Sequence, residues 1–425
     1  VTLLTVGYAG YYLCRSNLAA ISPMLLRSSP GAGINLNSIG LIGTVGTIAY
    51  AIGKIVNGVQ SDFLGGRRLF LLGIIGSVVA TVCFGFGSGL GIFVVTWTIG
   101  RFFGSMGWVG LVKIASRWFR YAEYGRAMAF LSLSFMLGNF VVKLFLGYLI
   151  EAGLNWRQVC FAAAGSLAAI GLICALGLRA GPSEIGEPEP ETNPRNVFGE
   201  QGEETRPSGL VDLLLPLFKS PAFWIIVMLS FGLTLIRETF NAWTPMYLVK
   251  VGGFTAGRAT QWSGLFDLSG SVSIIACGFM TDRLFGGRRG EVMTGALALS
   301  ALALLGMTTL HSANPAALLA FVAAVGLLTI GPYSFLSGAL SLDLGGKRGS
   351  GTAAGLIDSA GYVGGIVSGL GISAIATRYG WSHAFGLLTA VALASAATAV
   401  VYWRWLERPA ARSEGGKHVG DARPP

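Results

Sequence analysis

Two arginines, Arg15 and Arg237, stand inside stretches that are otherwise apolar. A charged side chain at the centre of a bilayer costs roughly 2.5–3.5 kcal/mol on insertion scales, so each marks a candidate functional site. A guanidinium offers a planar fork of N–H donors that matches two oxygens of a phosphate or carboxylate at once. Two such forks facing one cavity would hold a compact dianion. Neighbours at helical spacing extend the lining. Tyr8, Tyr12 and Arg15 fall at i, i+4 and i+7 on one helical face, Thr234, Arg237 and Asn241 share another, and Tyr50 and Lys54 form an i, i+4 pair. Phenolic hydroxyls beside cations are anion ligands; tyrosine on a helix serves equally as interfacial anchor or core filler, and both readings stand. Glu238 beside Arg237 leaves a local ion pair open.

These residues need membrane-crossing helices to carry them. The chain has 425 residues, 53% hydrophobic and only 12% charged, whereas a soluble globular protein is about a quarter charged. The charges gather in short clusters between apolar stretches well over ~18 residues, each long enough to cross a bilayer. Soluble enzymes, secreted disulfide scaffolds and disordered hubs are excluded. Helices are expected near 2–26, 38–60, 70–88, 91–117, 125–152 and 157–179, then near 222–250, 259–280, 291–311, 315–341, 352–378 and 381–404. The expected fold is an all-α membrane protein of twelve transmembrane helices in two pseudo-symmetric six-helix bundles, over 1–180 and 209–407. Between them, 181–208 contains Glu184-Ile-Gly-Glu-Pro-Glu-Pro-Glu, too acidic and proline-rich to pack, and reads as a mobile cytoplasmic linker. Residues 408–425 read as a disordered cytoplasmic tail.

The net charge of +10 sits in short loops at span ends, not along a face with interleaved aromatics, so no nucleic acid is expected as a partner. The excess of Lys and Arg at one set of loops places both termini in the cytoplasm. The five cysteines show no pairing framework, and His311, His383 and His418 lie at span ends or in the tail, so neither metal nor cofactor is expected. Gly345-Gly-Lys-Arg-Gly-Ser-Gly-Thr lacks the spacing of a nucleotide loop.

The chain repeats itself. Gly58-Val-Gln-Ser-Asp-Phe-Leu-Gly-Gly-Arg-Arg lies between spans two and three, and Gly278-Phe-Met-Thr-Asp-Arg-Leu-Phe-Gly-Gly-Arg-Arg between spans eight and nine. Arg15 and Arg237 are separated by nearly the same stretch as Asp62 and Asp282. Two six-span halves related in this way are an architecture of secondary transporters. The aspartates could cap the next helix, or hold Arg67, Arg68, Arg288 and Arg289 in a cluster that latches the cytoplasmic side.

These loops resemble the signature loop of the major facilitator superfamily. A closer resemblance, to its organophosphate:phosphate antiporter family, is carried by Gly7-Tyr-Ala-Gly-Tyr-Tyr-Leu-Cys-Arg-Ser-Asn, Ala49-Tyr-Ala-Ile-Gly-Lys, Gly104-Ser-Met-Gly-Trp, Leu235-Ile-Arg-Glu-Thr-Phe-Asn-Ala-Trp-Thr-Pro-Met-Tyr-Leu and Gly361-Tyr-Val-Gly-Gly. The resemblance implies that Arg15 and Arg237 bind a phosphoryl group, that Lys54 matches a family lysine, and that Tyr8, Tyr12, Tyr50, Trp108 and Tyr362 match cavity aromatics. Asp267 falls where the family's glycerol-3-phosphate carrier has a glutamate.

Departures from the family pattern bear on substrate. Phe135 stands where that carrier has a histidine, removing a donor, and Val109-Gly110 replaces a Pro-Pro, so span four should bend less. Glu238, Asp358 and Lys143 add charges. Asp358 could be a proton-coupling site, or could neutralise Lys143 or Arg237. The function expected is exchange of a sugar phosphate or glycerol phosphate for inorganic phosphate by rocking of the bundles, in a monomer in a bacterial inner membrane, with no catalytic constellation. A proton-coupled carboxylate carrier and a membrane-embedded sugar-phosphate sensor are the alternatives.

Overall fold

The computed structural model describes residues 1–28, 34, 36–194, 196–254, 262–309 and 314–407. The tail from 408 onward, Arg258 and His311 lie outside the described residues, as does the side chain of Lys143.

Among the described residues the regular elements are helices, with no strand. They are α1 (Thr2–Arg15), α2 (Asn17–Ser28), α3 (Leu36–Leu64), α4 (Gly66–Phe86), α5 (Leu90–Gly104), α6 (Met106–Trp118), α7 (Tyr124–Glu151), α8 (Trp156–Gly177) and α9 (Leu210–Lys219). Then follow α10 (Pro221–Lys250), α11 (Leu265–Arg283), α12 (Arg289–Thr309), α13 (Pro315–Phe335), α14 (Ser341–Tyr379) and α15 (Trp381–Tyr402). Among the described residues ten runs are long and apolar enough to cross a membrane, and one of them, Pro315–Ser368, has 54 residues and is long enough to cross twice. With α1 and α2, which follow one another through Ser16, these make the twelve crossings.

Serines interrupt two spans. Ser16 donates to Asn139 Oδ1 at 2.7 Å where α1 ends. Ser105 separates α5 from α6, its hydroxyl donating back to the Phe102 carbonyl and accepting from Asn57 Nδ2, each at 2.7 Å. Back-bonding of this kind bends helices, so span four is interrupted even without the Pro-Pro.

The chain forms two compact units. Unit 1 is Val1–Leu217 together with Ser337–Ser359; unit 2 is Phe218–Leu336 with Ala360–Pro425. In unit 1 the buried faces of α4, α5 and α8 meet at Phe84, Phe93 and Trp156, with ring centroids 4.8–6.4 Å apart. In unit 2, Phe240 stacks on Phe266 at 5.2 Å and approaches Phe385 at 6.2 Å. Large apolar side chains such as Ile75, Val79, Leu172, Leu302 and Phe279 face outward. That is the inverse of a water-soluble surface and suits acyl chains.

The stretch read as a mobile linker is folded against unit 1. Short 3₁₀ turns form at Pro182–Ile185 and Gly199–Glu203. Glu189 pairs with Arg117 and accepts from Ser183 Oγ at 3.0 Å. Lys347 reaches Glu203 at 2.7 Å and Glu189 at 3.6 Å, and Arg348 pairs with Glu204 and donates to Ser208 at 3.0 Å. The Val197 N–H donates to the Leu344 carbonyl at 2.9 Å. The acidity that suggested a solvated tether is thus complementary to cations far along the chain. Gly346, where the path of α14 breaks, has φ +52°, and a Cβ there would come within 2.7 Å of the Gly202 carbonyl oxygen.

Candidate functional site

Three intramembrane cations of unit 1, Arg15, Lys54 and Arg101, gather on Tyr50, which is 1% exposed. Arg15, the last residue of α1, donates from Nη1 to the Tyr50 hydroxyl at 3.0 Å, with its Cζ 4.6 Å from the ring centroid and 5.1 Å from that of Tyr12. One turn further along α3, Lys54 Nζ lies 5.2 Å from the Tyr50 ring and 2.7 Å from Asp358 Oδ2. Asp358 therefore pairs with Lys54, where the sequence offers a proton-coupling role or a pairing with Lys143 or Arg237. The segment carrying Asp358 belongs to unit 1, which brings α3 to it. Cations over an aromatic face gain from the ring quadrupole, more so when desolvated.

An aromatic shelf adjoins this cluster. Tyr8 contacts Tyr12 at 5.9 Å and Trp108 at 5.3 Å between ring centroids, and Trp108 meets Phe135 at 6.3 Å, edge to face. Trp108 Nε1 donates to Ser337 at 3.1 Å. Phe135 thus adds an apolar ring to the shelf.

Arg101, in the last turn of α5, is a residue that the sequence reading missed. Its Cζ lies 4.4 Å from the Tyr50 centroid, and it lines a pocket together with Arg15, Tyr11, Asn17, Thr81 and Trp97. The signal was present: the rule that singled out Arg15 applies equally to a charged residue within 91–117.

In unit 2, Arg237 is 9% exposed and pairs with Glu238 beside it; its Cζ stands 4.3 Å from the Tyr333 ring. Its Nε has no hydrogen-bond partner among the described residues. Tyr362 is buried on the same unit, Asn241 is exposed, and Asp267 is half-buried in the first turn of α11.

The signature loops are built differently. Asp62, fully buried, pairs with Lys113 at 2.8 Å and accepts from the backbone N–H groups of Gly351 and Thr352 at 3.2 and 2.7 Å. The helix it caps is therefore α14, and its cation is Lys113. A helix segment's free N–H groups favour an anion there. Arg67 donates instead to the carbonyls of Ala175 and Leu178 at 2.7 and 2.6 Å, at the end of α8, and Arg68 is exposed. Gly58 lets α14 approach: a Cβ there would lie 2.9 Å from the Gly351 carbonyl oxygen. In the second loop Gly278 is buried and Asp282 half-buried, but the N–H groups of Arg289 and Gly290 are capped by Glu407, at 2.8 Å each. Arg288 pairs with Glu291 at 2.9 Å.

The family model described as Major Facilitator Superfamily matches residues 4–369 and again 264–422. The chain belongs to the Major Facilitator Superfamily. This facilitator is 26% identical over 400 residues to a probable hexose phosphate transport protein of Chlamydia muridarum, covering 91% of this chain and 86% of that one. It is 27% identical over 393 residues to the glycerol-3-phosphate transporter of Bacillus subtilis, covering 90% and 87%. It is 25% identical over 416 residues to the membrane sensor protein UhpC of Salmonella typhimurium, covering 96% and 92%. Among solved structures, the fucose:proton symporter FucP of E. coli superposes with a TM-score of 0.71 at 14% identity, covering 94% of this chain and 98% of that one. That likeness shows the major facilitator fold. The relatives are of the kind that the motifs around Arg15 and Arg237 resemble, and the chain is a multi-pass membrane protein.

Proposed function

We propose that this facilitator exchanges a phosphorylated organic anion, of the sugar-phosphate or glycerol-phosphate type, for inorganic phosphate by alternating access. The observation that carries the reading is Arg15, inside an apolar bundle, hydrogen-bonded to Tyr50 beside the Lys54–Asp358 pair. A phosphoryl group is the compact anion that guanidinium forks fit. The names of the hexose phosphate and glycerol-3-phosphate relatives support it. In unit 2 Arg237 is likewise read as a phosphoryl-binding guanidinium, and solute gradients drive the cycle, in a monomer of a bacterial inner membrane.

The ion pair suggests how binding couples to movement. An arriving phosphoryl group competes with Asp358 for Lys54. Asp358 lies on Ser337–Ser359, and freeing it loosens one of the ties that hold this segment to unit 1. A substrate-filled site would then rock, and an empty one would stay clasped.

Proteoliposomes loaded with phosphate and presented with labelled phosphate test the reading. Uptake should require internal phosphate and disappear in Arg15→Ala. Exchange at an unchanged rate in Arg15→Lys or Arg237→Lys would sink it, because lysine keeps the charge but not the fork. Uptake driven by a pH gradient without internal phosphate would favour a carboxylate symporter using Asp267 or Asp358. The likeness to a sensor over nearly the whole chain favours one second reading. Saturable phosphate binding without exchange would support that one.

A further inference from the structure

Arg101 repeats the placement of Arg15 on a different helix. It lies well inside the run Leu90–Trp118, where an ionisable side chain is costly. Its Cζ is 4.4 Å from the Tyr50 centroid and that of Arg15 is 4.6 Å, so the two guanidinium carbons lie within about 9 Å of each other. Both line one pocket, to which Asn17, Thr81 and Thr96 add polar groups. The neighbouring helix passes close to Trp97 and Arg101. A Cβ on Gly46 of α3 would come within 3.0 Å of Arg101 Cγ and 2.5 Å of Trp97 Cδ1. Charged side chains near Tyr50 include Arg15, Lys54, Arg101 and Asp358. Lys54 and Asp358 are joined at 2.7 Å.

We propose that Arg101 is a substrate-binding residue that forms with Arg15, within unit 1, a two-guanidinium site selective for phosphoryl dianions over monoanions. The proposal rests on the reading that this facilitator binds a phosphorylated anion. A dianion held between Arg15 and Arg101 accepts from both forks, each contact spanning about 2.7–2.9 Å. A monoanionic diester has less charge to share and gains little from the second fork.

The test is binding of labelled inorganic phosphate to the purified full-length chain, at a pH where phosphate is mostly dianionic. Wild type, Arg101→Gln and Arg101→Lys are compared, with dimethyl phosphate as the monoanionic competitor and thermal melting as the check on folding. Arg101→Gln is expected to weaken phosphate binding about tenfold or more, the loss of one charge-assisted contact, and to weaken dimethyl phosphate much less. Arg101→Lys should fall between, and decides the matter alone where the glutamine variant does not fold. Unchanged affinity and preference in both variants would overturn the proposal and leave phosphate exchange standing. Equal weakening of both ligands would also overturn it, making Arg101 a structural support. If the wild type binds no phosphate, the exchange reading falls with it.

Discussion

Asp62 commits both carboxylate oxygens to Lys113 and to two backbone N–H groups, with no exposure to solvent. Removing one member of such a buried pair strands the other charge, at a cost of about 3–5 kcal/mol, whereas neutralising both together costs far less. Lys113→Met is therefore expected to lower the melting temperature of the purified protein sharply, and Lys113→Met combined with Asp62→Asn to lower it less than the two single losses summed. Strictly additive losses in that double-mutant cycle would contradict the pairing. Sequence made Asp62 conspicuous through its repeat, and it made Arg15, Tyr50 and Lys54 conspicuous through polarity inside apolar runs. It did not identify their partners. Asp358 and the Gly351–Thr352 amides lie hundreds of residues away, and spacing along one helix carries no information about contacts that only tertiary folding creates.

Elements whose pattern is periodic were legible, and the one read from composition alone was not. Twelve apolar runs became twelve crossings, while the acidic stretch between the halves turned out to be folded. Glutamates in a proline-rich run look solvated unless their cations are known, and here those are Arg117, Lys347 and Arg348. The strap they form has a pH dependence of definite sign. Partial burial would raise the carboxyls of Glu189 and Glu203, but hydrogen bonds from Arg117 and Ser183 to the first, and from Lys347 and Thr192 to the second, hold both below the ordinary carboxylate range. A carboxyl lowered in the folded state contributes stability above its unfolded pKa of about 4.3, and that contribution is lost as pH falls through the lower folded value. The strap is thus expected to stay closed through neutral pH and to loosen in acid. A spin label at the exposed Gln201, with Cys83→Ser, should remain restrained down to the carboxylate range and gain mobility below it. Full mobility at neutral pH would show that the clasp does not hold.

At the scale of the whole molecule, the asymmetric distribution of Lys and Arg orients the chain in its membrane. A fluorescent-protein fusion at the C-terminus is expected to fold and fluoresce in the cytoplasm, and an alkaline phosphatase fusion at the same point to be inactive; the opposite pair of results would invert the topology. The segment Ser337–Ser359 packs with the first two hundred residues. That has a consequence for biosynthesis. Ribosomes add roughly 5–20 residues per second and domains generally fold as units, so the first bundle emerges many seconds before the segment that completes it. Until Gly351 and Thr352 are synthesised, Asp62 lacks two of its donors and Lys54 lacks its carboxylate. The nascent N-terminal bundle is therefore an unfinished intermediate, and a polypeptide cut at the linker would stay one. The part of this protein that is made first is closed nearly last.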